Sequence, residues 1–128
     1  MLTLPHSILD AVLAHARVES PRECCGVLGG VGLVVTHAVA VANELASSTA
    51  FRTEPRAMLA ADRALRAAGV ELVAVYHSHP TSAAVPSAAD LRENPHGDRV
   101  LCVIAGTDGV RAWRLGVTDC VEVPIRVT

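Results

Sequence analysis

The stretch Glu71-Leu72-Val73-Ala74-Val75-Tyr76-His77-Ser78-His79-Pro80 decides the fold, because it joins an apolar segment to a pair of histidines. The residues up to Tyr76 are mostly apolar strand formers, so they predict a β-strand that His77 and His79 close. Side chains two positions apart on a strand share a face. Pro80 ends the strand because it has no backbone N–H. Both imidazoles are therefore expected to converge at one end of a strand.

A carboxylate follows the histidine pair at Asp90, beyond a loop that brings the chain back. Two imidazole nitrogens and one carboxylate oxygen make three protein ligands, the number found in a catalytic zinc centre that keeps its fourth position for water. The spacing predicts a zinc site formed by His77, His79 and Asp90. The alternative interpretation of the histidines is two polar residues at an exposed strand end.

Composition predicts one globular domain spanning residues 1–128. The chain has 128 residues, of which 51% are hydrophobic, and a formal net charge of -2. This is enough apolar material for a core but not for a second domain. Only 2% of the residues are aromatic, and no basic face is evident. Both features disfavour a nucleic-acid partner.

The sequence also bears on location and redox state. No basic residue precedes Arg17, which disfavours a signal peptide, and the longest apolar stretch, 26–35, contains four glycines and is too short to span a bilayer. We expect a cytoplasmic protein with no membrane association. The cysteines show no C-x-x-C spacing, so buried thiols are expected rather than disulfides or an all-cysteine metal site: Cys24, Cys25, Cys102 and Cys120.

The first half of the chain predicts two helices and a hairpin. Apolar spacing indicates a helix over 5–16. Strands over 24–28 and 33–41 surround a predicted glycine-rich turn, Gly29-Gly30-Val31-Gly32, and a loop follows from Asn43. A second helix begins at Glu54-Pro55 and stops at Gly69, with Met58, Leu59 and Leu65 on its buried side.

The second half predicts a short helix over 87–93 and three further strands, over 100–105, 110–115 and 120–127. A tight turn at 106–109 separates the first two of these strands. A strand-helix-strand passage favours parallel pairing, whereas tight turns favour antiparallel pairing. The expected fold class is therefore α/β (α+β), a mixed β-sheet flanked by helices.

His-Ser-His-Pro, seven residues from Pro80 to Pro86, and then Ser-x-x-Asp resemble the signature of the JAMM (MPN+, Mov34) zinc metalloprotease family. In addition, Pro21-Arg22-Glu23-Cys24-Cys25-Gly26 resembles the Pro-x-Glu-x-Cys-Gly segment of the small bacterial members. The resemblance covers nearly the whole chain. It implies a single JAMM or cytidine-deaminase-like domain.

Carried over residue by residue, the resemblance implies that His77, His79 and Asp90 bind Zn²⁺. It also implies that Glu23 acts on the attacking water and that Ser87 helps to hold the tetrahedral intermediate. These roles agree with the known chemistry of zinc hydrolases. Zinc lowers the pKa of bound water from 15.7 to about 7, and a carboxylate can shuttle the proton of that water to the leaving amine. The reaction class is amide hydrolysis.

Each remaining candidate has a structural alternative. Ser87 also fits an N-cap, with Asp90 completing a capping box; we expect Asp90 not to serve the cap and the metal at once. Without the resemblance, Glu23 would be a surface carboxylate. Cys25 is expected to pack beneath the site. His37 and His96 lack ligand spacing, although His96 is in a position to touch substrate.

The small bacterial members that this chain resembles are associated with ubiquitin-like sulfur-carrier proteins ending in Gly-Gly. The implied substrate is an amide joining that tail to an amine, either an amino acid such as cysteine, as in the Mec-type peptidases of cysteine biosynthesis, or a lysine side chain. The compact chain favours the linear or single-amino-acid substrate. A homodimer is left open.

Three alternative functions remain at this point. They are a non-catalytic MPN-type interaction scaffold, a RadC-like DNA-associated protein, and a hydrolase of small amides. The scaffold domains have lost their metal ligands, whereas this chain keeps them. The RadC-like proteins carry a related histidine motif, but the basic portion expected for DNA binding is absent here.

Overall fold

The computed structural model describes residues 1–128. The strands are β1 (Leu2–Leu4), β2 (Cys25–Val31), β3 (Val34–Val41), β4 (Glu71–Ser78), β5 (Leu101–Gly106), β6 (Gly109–Leu115), β7 (Cys120–Val123) and β8 (Ile125–Val127). The helices are α1 (His6–Glu19), α2 (Pro55–Ala67) and α3 (Ala88–Arg92). No helix has the length and apolar character needed to cross a membrane.

All eight strands form one sheet in the order β7-β6-β5-β4-β2-β3-β1-β8. The pairs β4–β5, β1–β3 and β1–β8 are parallel and the others are antiparallel. The predicted mixed sheet with flanking helices is confirmed. The central strand is β4, the strand that carries the histidine pair.

Strand β4 is apolar along most of its length because both of its faces are covered, as is usual for strands in parallel pairing. On one face Ala74 and Tyr76 join the core beneath α1. On the other face Val75 packs beside the core under α2, whose centre includes Val27 and Leu65. A third apolar cluster, around Ile104 and Trp113, lies beside α3. The covered faces fix which way each β4 side chain points, and so orient the histidines.

Helix α2 has the predicted ends. The Glu54 carboxylate accepts the backbone N–H groups of Arg56 and Ala57, and Gly69 follows the helix with a φ of 73°. Leu59, however, is 50% exposed, so its predicted burial was wrong. Ala61 and Leu65 are the buried positions, and at about 100° per residue Leu59 falls on the other side of the helix.

The predicted hairpin turn was placed too early. Gly29 and Gly30 lie inside β2, and the chain turns at Gly32, where φ is 61°. A Cβ at Gly30 would collide with the backbone carbonyl of Val34, and one at Gly29 with the Leu65 side chain. Gly30 therefore permits close packing within the sheet, and Gly29 permits close packing of α2 against it.

The C-terminal strand predicted over 120–127 is two strands. Pro124 separates them: β7 pairs with β6 at one edge of the sheet, whereas β8 pairs with β1 at the other. Since one residue connects β7 to β8, the two edges of the sheet come together there. The curled sheet encloses the core under α1, which includes the fully buried side chains of Leu2 and Leu4. Strand β1 was not predicted.

Candidate metal centre

The two histidines lie at the end of the central strand and are almost completely buried. His77 is 1% exposed and His79 is 7% exposed. Their Nε2 atoms are 3.1 Å apart. The predicted convergence of the two imidazoles is present, and the alternative of an exposed strand end does not hold.

Asp90, on α3, completes this group. Its Oδ2 atom lies 3.2 Å from the Nε2 atoms of both His77 and His79. The same oxygen accepts the backbone N–H of Ser87 at 2.9 Å, while Ser87 Oγ accepts the backbone N–H of Asp90 at 3.1 Å. The capping box is therefore formed, and the oxygen that completes it also faces both histidines, so the cap does not turn Asp90 away from them. Binding of a metal by Asp90 stays a prediction. The box turns Oδ2 toward the strand end, and a carboxylate oxygen has two lone pairs.

The separations of these donor atoms fit a metal ion. Ligands bound at 2.0–2.1 Å in tetrahedral geometry lie about 3.3 Å apart, close to the 3.1 and 3.2 Å observed. The ring of His79 is also oriented for ligation, because its Nδ1–H donates to the carbonyl of Ala83 at 2.9 Å. That hydrogen bond leaves Nε2 as the ring nitrogen that faces Asp90 and can bind a metal.

His77 is held in an apolar setting. The ring of Phe51 stacks on it with centroids 4.4 Å apart, and the thiol of Cys102 lies 3.9 Å from its Nδ1. Burial lowers the pKa of His77, which favours the neutral imidazole that binds metals. Phe51 was missed in the sequence; the only available signal was its being the single phenylalanine of an aromatic-poor chain.

The pKa values of Asp90 and His79 reflect their contact. Burial acts to raise the pKa of Asp90, but hydrogen bonds from His77 and His79 hold it well below its usual range. For His79, burial acts to lower the pKa, but the hydrogen bonds to Asp90 and Ala83 outweigh it, so the pKa is raised. Asp90 is therefore an anion at neutral pH, the form in which a carboxylate binds a cation.

Glu23, just before β2, is only 4% exposed, so the surface alternative for this residue was wrong. Its backbone N–H donates to the carbonyl of Ser47 at 2.7 Å, and its carbonyl accepts the side-chain amide of Asn43 at 3.1 Å. Burial raises the pKa of its carboxyl to about 7; Asp90 adds to the rise, and His79 opposes it.

The Glu23 carboxyl also belongs to the cluster. One of its oxygens and one nitrogen of each of His77 and His79 all lie within 4.8 Å of one another. Glu23 forms no hydrogen bond or ion pair with either histidine, whereas Asp90 Oδ2 lies 3.2 Å from both Nε2 atoms, so Asp90 is the closer carboxylate. Ser78 holds the end of β4 against the segment that carries Glu23, since its Oγ accepts the backbone N–H of Cys24 at 2.8 Å.

The remaining candidates contribute no donor atom to the cluster of His77, His79, Asp90 and Glu23. Cys25 is fully buried and its thiol donates to the carbonyl of Val41, so it packs beneath the site as expected. His37 is exposed and contacts Thr36. His96 lines a cavity of about 410 Å³ that runs from His77 and Asp90 between the 45–53 and 93–100 segments.

The fold and the site together define a small α+β domain with a candidate JAMM-type metal centre. The family model described as prokaryotic homologs of the JAB domain matches residues 5–116. The chain belongs to this family.

Three relatives have names that describe an activity. A probable TtuB-protein conjugate cleaving protease from Thermus thermophilus is 40% identical over 116 residues, covering 90% of this chain and 76% of the relative. A desampylase from Haloferax volcanii is 36% identical, covering 84% and 82% of the two chains. A CysO-cysteine peptidase from Mycobacterium tuberculosis is 28% identical, covering 99% and 91%. The names of all three relatives are those of peptidases or deconjugating proteins.

Solved structures support the same fold. The solution structure of a protein from Desulfitobacterium hafniense matches with a TM-score of 0.90 at 28% identity, covering 100% of this chain and 93% of that chain. A JAB1/MPN domain protein from Archaeoglobus fulgidus matches with a TM-score of 0.66 at 19% identity, covering 100% and 97%.

Proposed function

We propose that this chain is a zinc-dependent peptidase that hydrolyses the amide bond after the Gly-Gly tail of a ubiquitin-like or sulfur-carrier protein. The observation that carries the proposal is the convergence of the His77, His79 and Asp90 donor atoms at 3.1–3.2 Å, with a buried Glu23 carboxyl beside them. The names of the relatives supply the class of substrate.

His77, His79 and Asp90 would hold the ion, and the chemistry of two imidazoles and a carboxylate suits zinc. Zinc would supply Lewis acidity, which makes water a nucleophile at neutral pH and polarises the amide carbonyl. Glu23 is an alternative third ligand. We favour Asp90 because its oxygen is closer to both nitrogens, and the wider separation of Glu23 leaves space for a water between the carboxylate and the ligands.

Glu23 is the proposed general base. Its pKa of about 7 follows from burial, and a divalent cation held by the neighbouring ligands would lower it, so the carboxylate is ionised at neutral pH. It would take a proton from the attacking water and donate it to the nitrogen of the leaving amine. Proton transfer of this kind contributes about 10²- to 10⁴-fold to a rate.

Ser87 is the proposed donor to the carbonyl oxygen of the scissile amide. Its Oγ accepts the backbone N–H of Asp90, and a hydroxyl can accept and donate at the same time. The hydroxyl proton therefore stays free for the oxygen on which negative charge develops during attack. A preorganised donor of this kind is worth about 3 kcal/mol in comparable sites.

The proposed substrate is inferred from the names of the relatives and from the shape of the site. A Gly-Gly tail has no side chains to obstruct its approach to the buried donor atoms, and it can lie extended against a sheet edge. One relative is named for cleaving a protein conjugate and another for a cysteine adduct, so both leaving groups belong in the test. The cytoplasmic location and a homodimeric assembly stay predictions.

The test is intact-mass analysis of two Gly-Gly-ended sulfur-carrier proteins, one extended by a C-terminal cysteine and one joined to a lysine side chain. Each is incubated with the zinc-loaded protein and with Glu23→Gln, and metal content is measured in parallel. We expect loss of at least one leaving group with the unmodified protein only, and one zinc per chain in both proteins. His37→Ala, which alters an exposed histidine outside the cluster, serves as the matched control and should cleave normally.

The result that would overturn the proposal is an unmodified protein with one zinc per chain that cleaves neither substrate. Cleavage by Glu23→Gln at the normal rate would instead remove the proposed base. If Asp90→Asn kept zinc while Glu23→Gln lost it, the third ligand would be Glu23 rather than Asp90.

A further inference from the structure

The loop between β4 and α3 is fastened by the β5–β6 hairpin at Ala84. The backbone N–H of Ala84 donates to Asp108 Oδ1 at 2.7 Å, and its carbonyl accepts the indole N–H of Trp113 at 2.8 Å. Ala84 is fully buried. Both of its main-chain polar groups are therefore satisfied by side chains of the hairpin.

Gly106 allows this close approach. A Cβ at this position would collide with the backbone of Ala83 and Ala84. The backbone N–H of Thr107 also donates to the carbonyl of Ser82 at 2.9 Å. The hairpin thus contacts three successive residues of the loop, Ser82 to Ala84.

Arg111 orients the two side chains that fasten Ala84. Its guanidinium lies 3.3 Å from Asp108 Oδ2 and 4.8 Å from the centre of the Trp113 ring, and two of its nitrogens donate to the carboxylate of Glu122 at 3.0 and 2.8 Å. The N–H of Ala84 and the charge of Arg111 keep the pKa of Asp108 below its ordinary value. Asp108 is therefore a charged acceptor, the stronger kind for a backbone N–H.

The residue before Ala84 is the one that holds a metal ligand. The carbonyl of Ala83 accepts Nδ1–H of His79, which sets both the tautomer and the ring angle of that imidazole. We propose that Asp108 and Trp113 are positioning residues for His79, acting through the Ala83–Ala84 backbone. The inference rests on the proposed metal centre, and it assigns to Asp108 and Trp113 the alignment of a ligand to which neither side chain is hydrogen-bonded.

The test compares Asp108→Ala and Trp113→Phe with Asp108→Asn, which keeps an oxygen acceptor for the N–H of Ala84. The zinc dissociation constant is measured by competition with a chromogenic chelator. Loss of groups that orient metal ligands commonly weakens binding by 10- to 100-fold, and we expect about 10-fold for Asp108→Ala and Trp113→Phe. Asp108→Asn should restore binding to near the unmodified value.

Val110→Ala is the matched control for loss of packing. Val110 lies on the same hairpin but packs against the core under α1, on the other face of the sheet. This substitution should lower the melting temperature without changing the zinc dissociation constant. Normal zinc binding by both Asp108→Ala and Trp113→Phe would overturn the proposal, and so would equal weakening by Val110→Ala.

A second measurement does not need the metal. Nitrogen-15 spectra of the histidine rings report which ring nitrogens carry protons, and in the metal-free protein we expect a proton on Nδ1 of His79, donated to the Ala83 carbonyl. Asp108→Ala and Trp113→Phe should populate a form protonated at Nε2 alone, because the Ala83 carbonyl is no longer fixed. Unchanged tautomers would contradict the proposal. An unmodified protein that binds no zinc would instead contradict the proposed function, and the tautomer comparison would still decide this inference.

Discussion

The Asp90 carboxylate takes part both in a helix cap and in the histidine cluster. One of its oxygens accepts the N–H of Ser87 and faces both histidine nitrogens. An N-terminal capping box thus fixes the position of a proposed ligand side chain that would otherwise have several rotamers. The capping and catalytic interpretations of the Ser-x-x-Asp pattern are compatible, because the cap itself builds part of the site.

Ser87→Ala tests the two tasks of the serine separately. Removing Oγ leaves the N–H of Asp90 without its acceptor, so we expect a loss of about 1 kcal/mol in the free energy of unfolding. We also expect turnover of a Gly-Gly-ended substrate to fall about 100-fold, with zinc content unchanged. Denaturant unfolding, steady-state kinetics and metal analysis check the three quantities. Ser87→Thr keeps the hydroxyl and should recover most of both losses; normal turnover by Ser87→Ala would make Ser87 only a cap.

At the residue scale, the sequence could predict that His77, His79 and Asp90 converge, because these residues are close in the chain. His77 and His79 share a strand face, and Asp90 follows after one short loop, so local geometry brings them together. The surroundings of the site come from distant parts of the chain. Phe51 reaches His77 from a different loop, and Trp113 reaches Ala84 across 29 positions. No local pattern announces such contacts, since tertiary packing creates them.

Among the elements, long periodic segments were predictable and short or unusual ones were not. Helix α2 and strand β4 carry clear apolar patterns and end signals. Strand β1 has three residues, too few to show alternation, and it exists because β3 and β8 flank it. Pro124 could have indicated a break in the C-terminal strand, since proline cannot continue a ladder of hydrogen bonds. The sequence could not show that the two halves lie on opposite edges of the sheet.

The end of α2 gives a prediction at the scale of elements. Gly69 has a φ of 73° and follows directly after the helix, before β4. A side chain is strained in this left-handed conformation, so Gly69→Ala should lower the free energy of unfolding by about 1–2 kcal/mol. A Cβ at this position would meet no neighbouring atom, which leaves the backbone as the only source of the loss. Zinc affinity should not change.

Gly69→Asn provides the comparison, because asparagine tolerates the left-handed region better than alanine. Denaturant unfolding of both variants checks the ranking. Equal losses for alanine and asparagine would contradict the conformational explanation, and a fall in zinc affinity would mean that α2 positions the ligands as well as covering the sheet.

For the whole molecule, several carboxylates couple folding to pH in the same direction. Burial acts to raise the pKa of Asp90, but its hydrogen bonds from the histidines lower it. The N–H of Ala84 lowers the pKa of Asp108, Arg111 lowers that of Glu122, and the N–H groups that begin α2 lower that of Glu54. The folded state therefore releases these protons more readily than the unfolded state.

The direction of the pH dependence follows from the difference in proton binding between the folded and unfolded states. A carboxylate with a lowered pKa stabilises the fold above its unfolded value, 3.8 for Asp and 4.5 for Glu, and this stability is lost as the pH falls through the folded pKa. We expect the free energy of unfolding of the metal-free protein to fall steadily between pH 5 and pH 3, as measured by denaturant titration. The raised pKa of Glu23 has the opposite effect. It lowers the free energy of unfolding as the pH rises from the usual value of Glu23 to about 7. An Asp108→Asn protein should show a shallower acid decline; an identical decline would contradict the role given to Asp108.

The donor atoms of the candidate metal centre are brought together only in the folded chain, so zinc should stabilise the whole fold. His77 and His79 end β4, and Asp90 belongs to α3. An ion that binds only the folded state adds about 2.7 kcal/mol when its free concentration is 100 times the dissociation constant. We therefore expect a chelator to lower the melting temperature and added zinc to restore it. Asp90→Asn should start from a lower melting temperature and respond weakly to zinc, whereas His37→Ala should respond like the unmodified protein. An unmodified protein with the same melting temperature in zinc and in chelator would contradict a bound ion, and the close approach of two imidazoles and a carboxylate would then be held by hydrogen bonds alone.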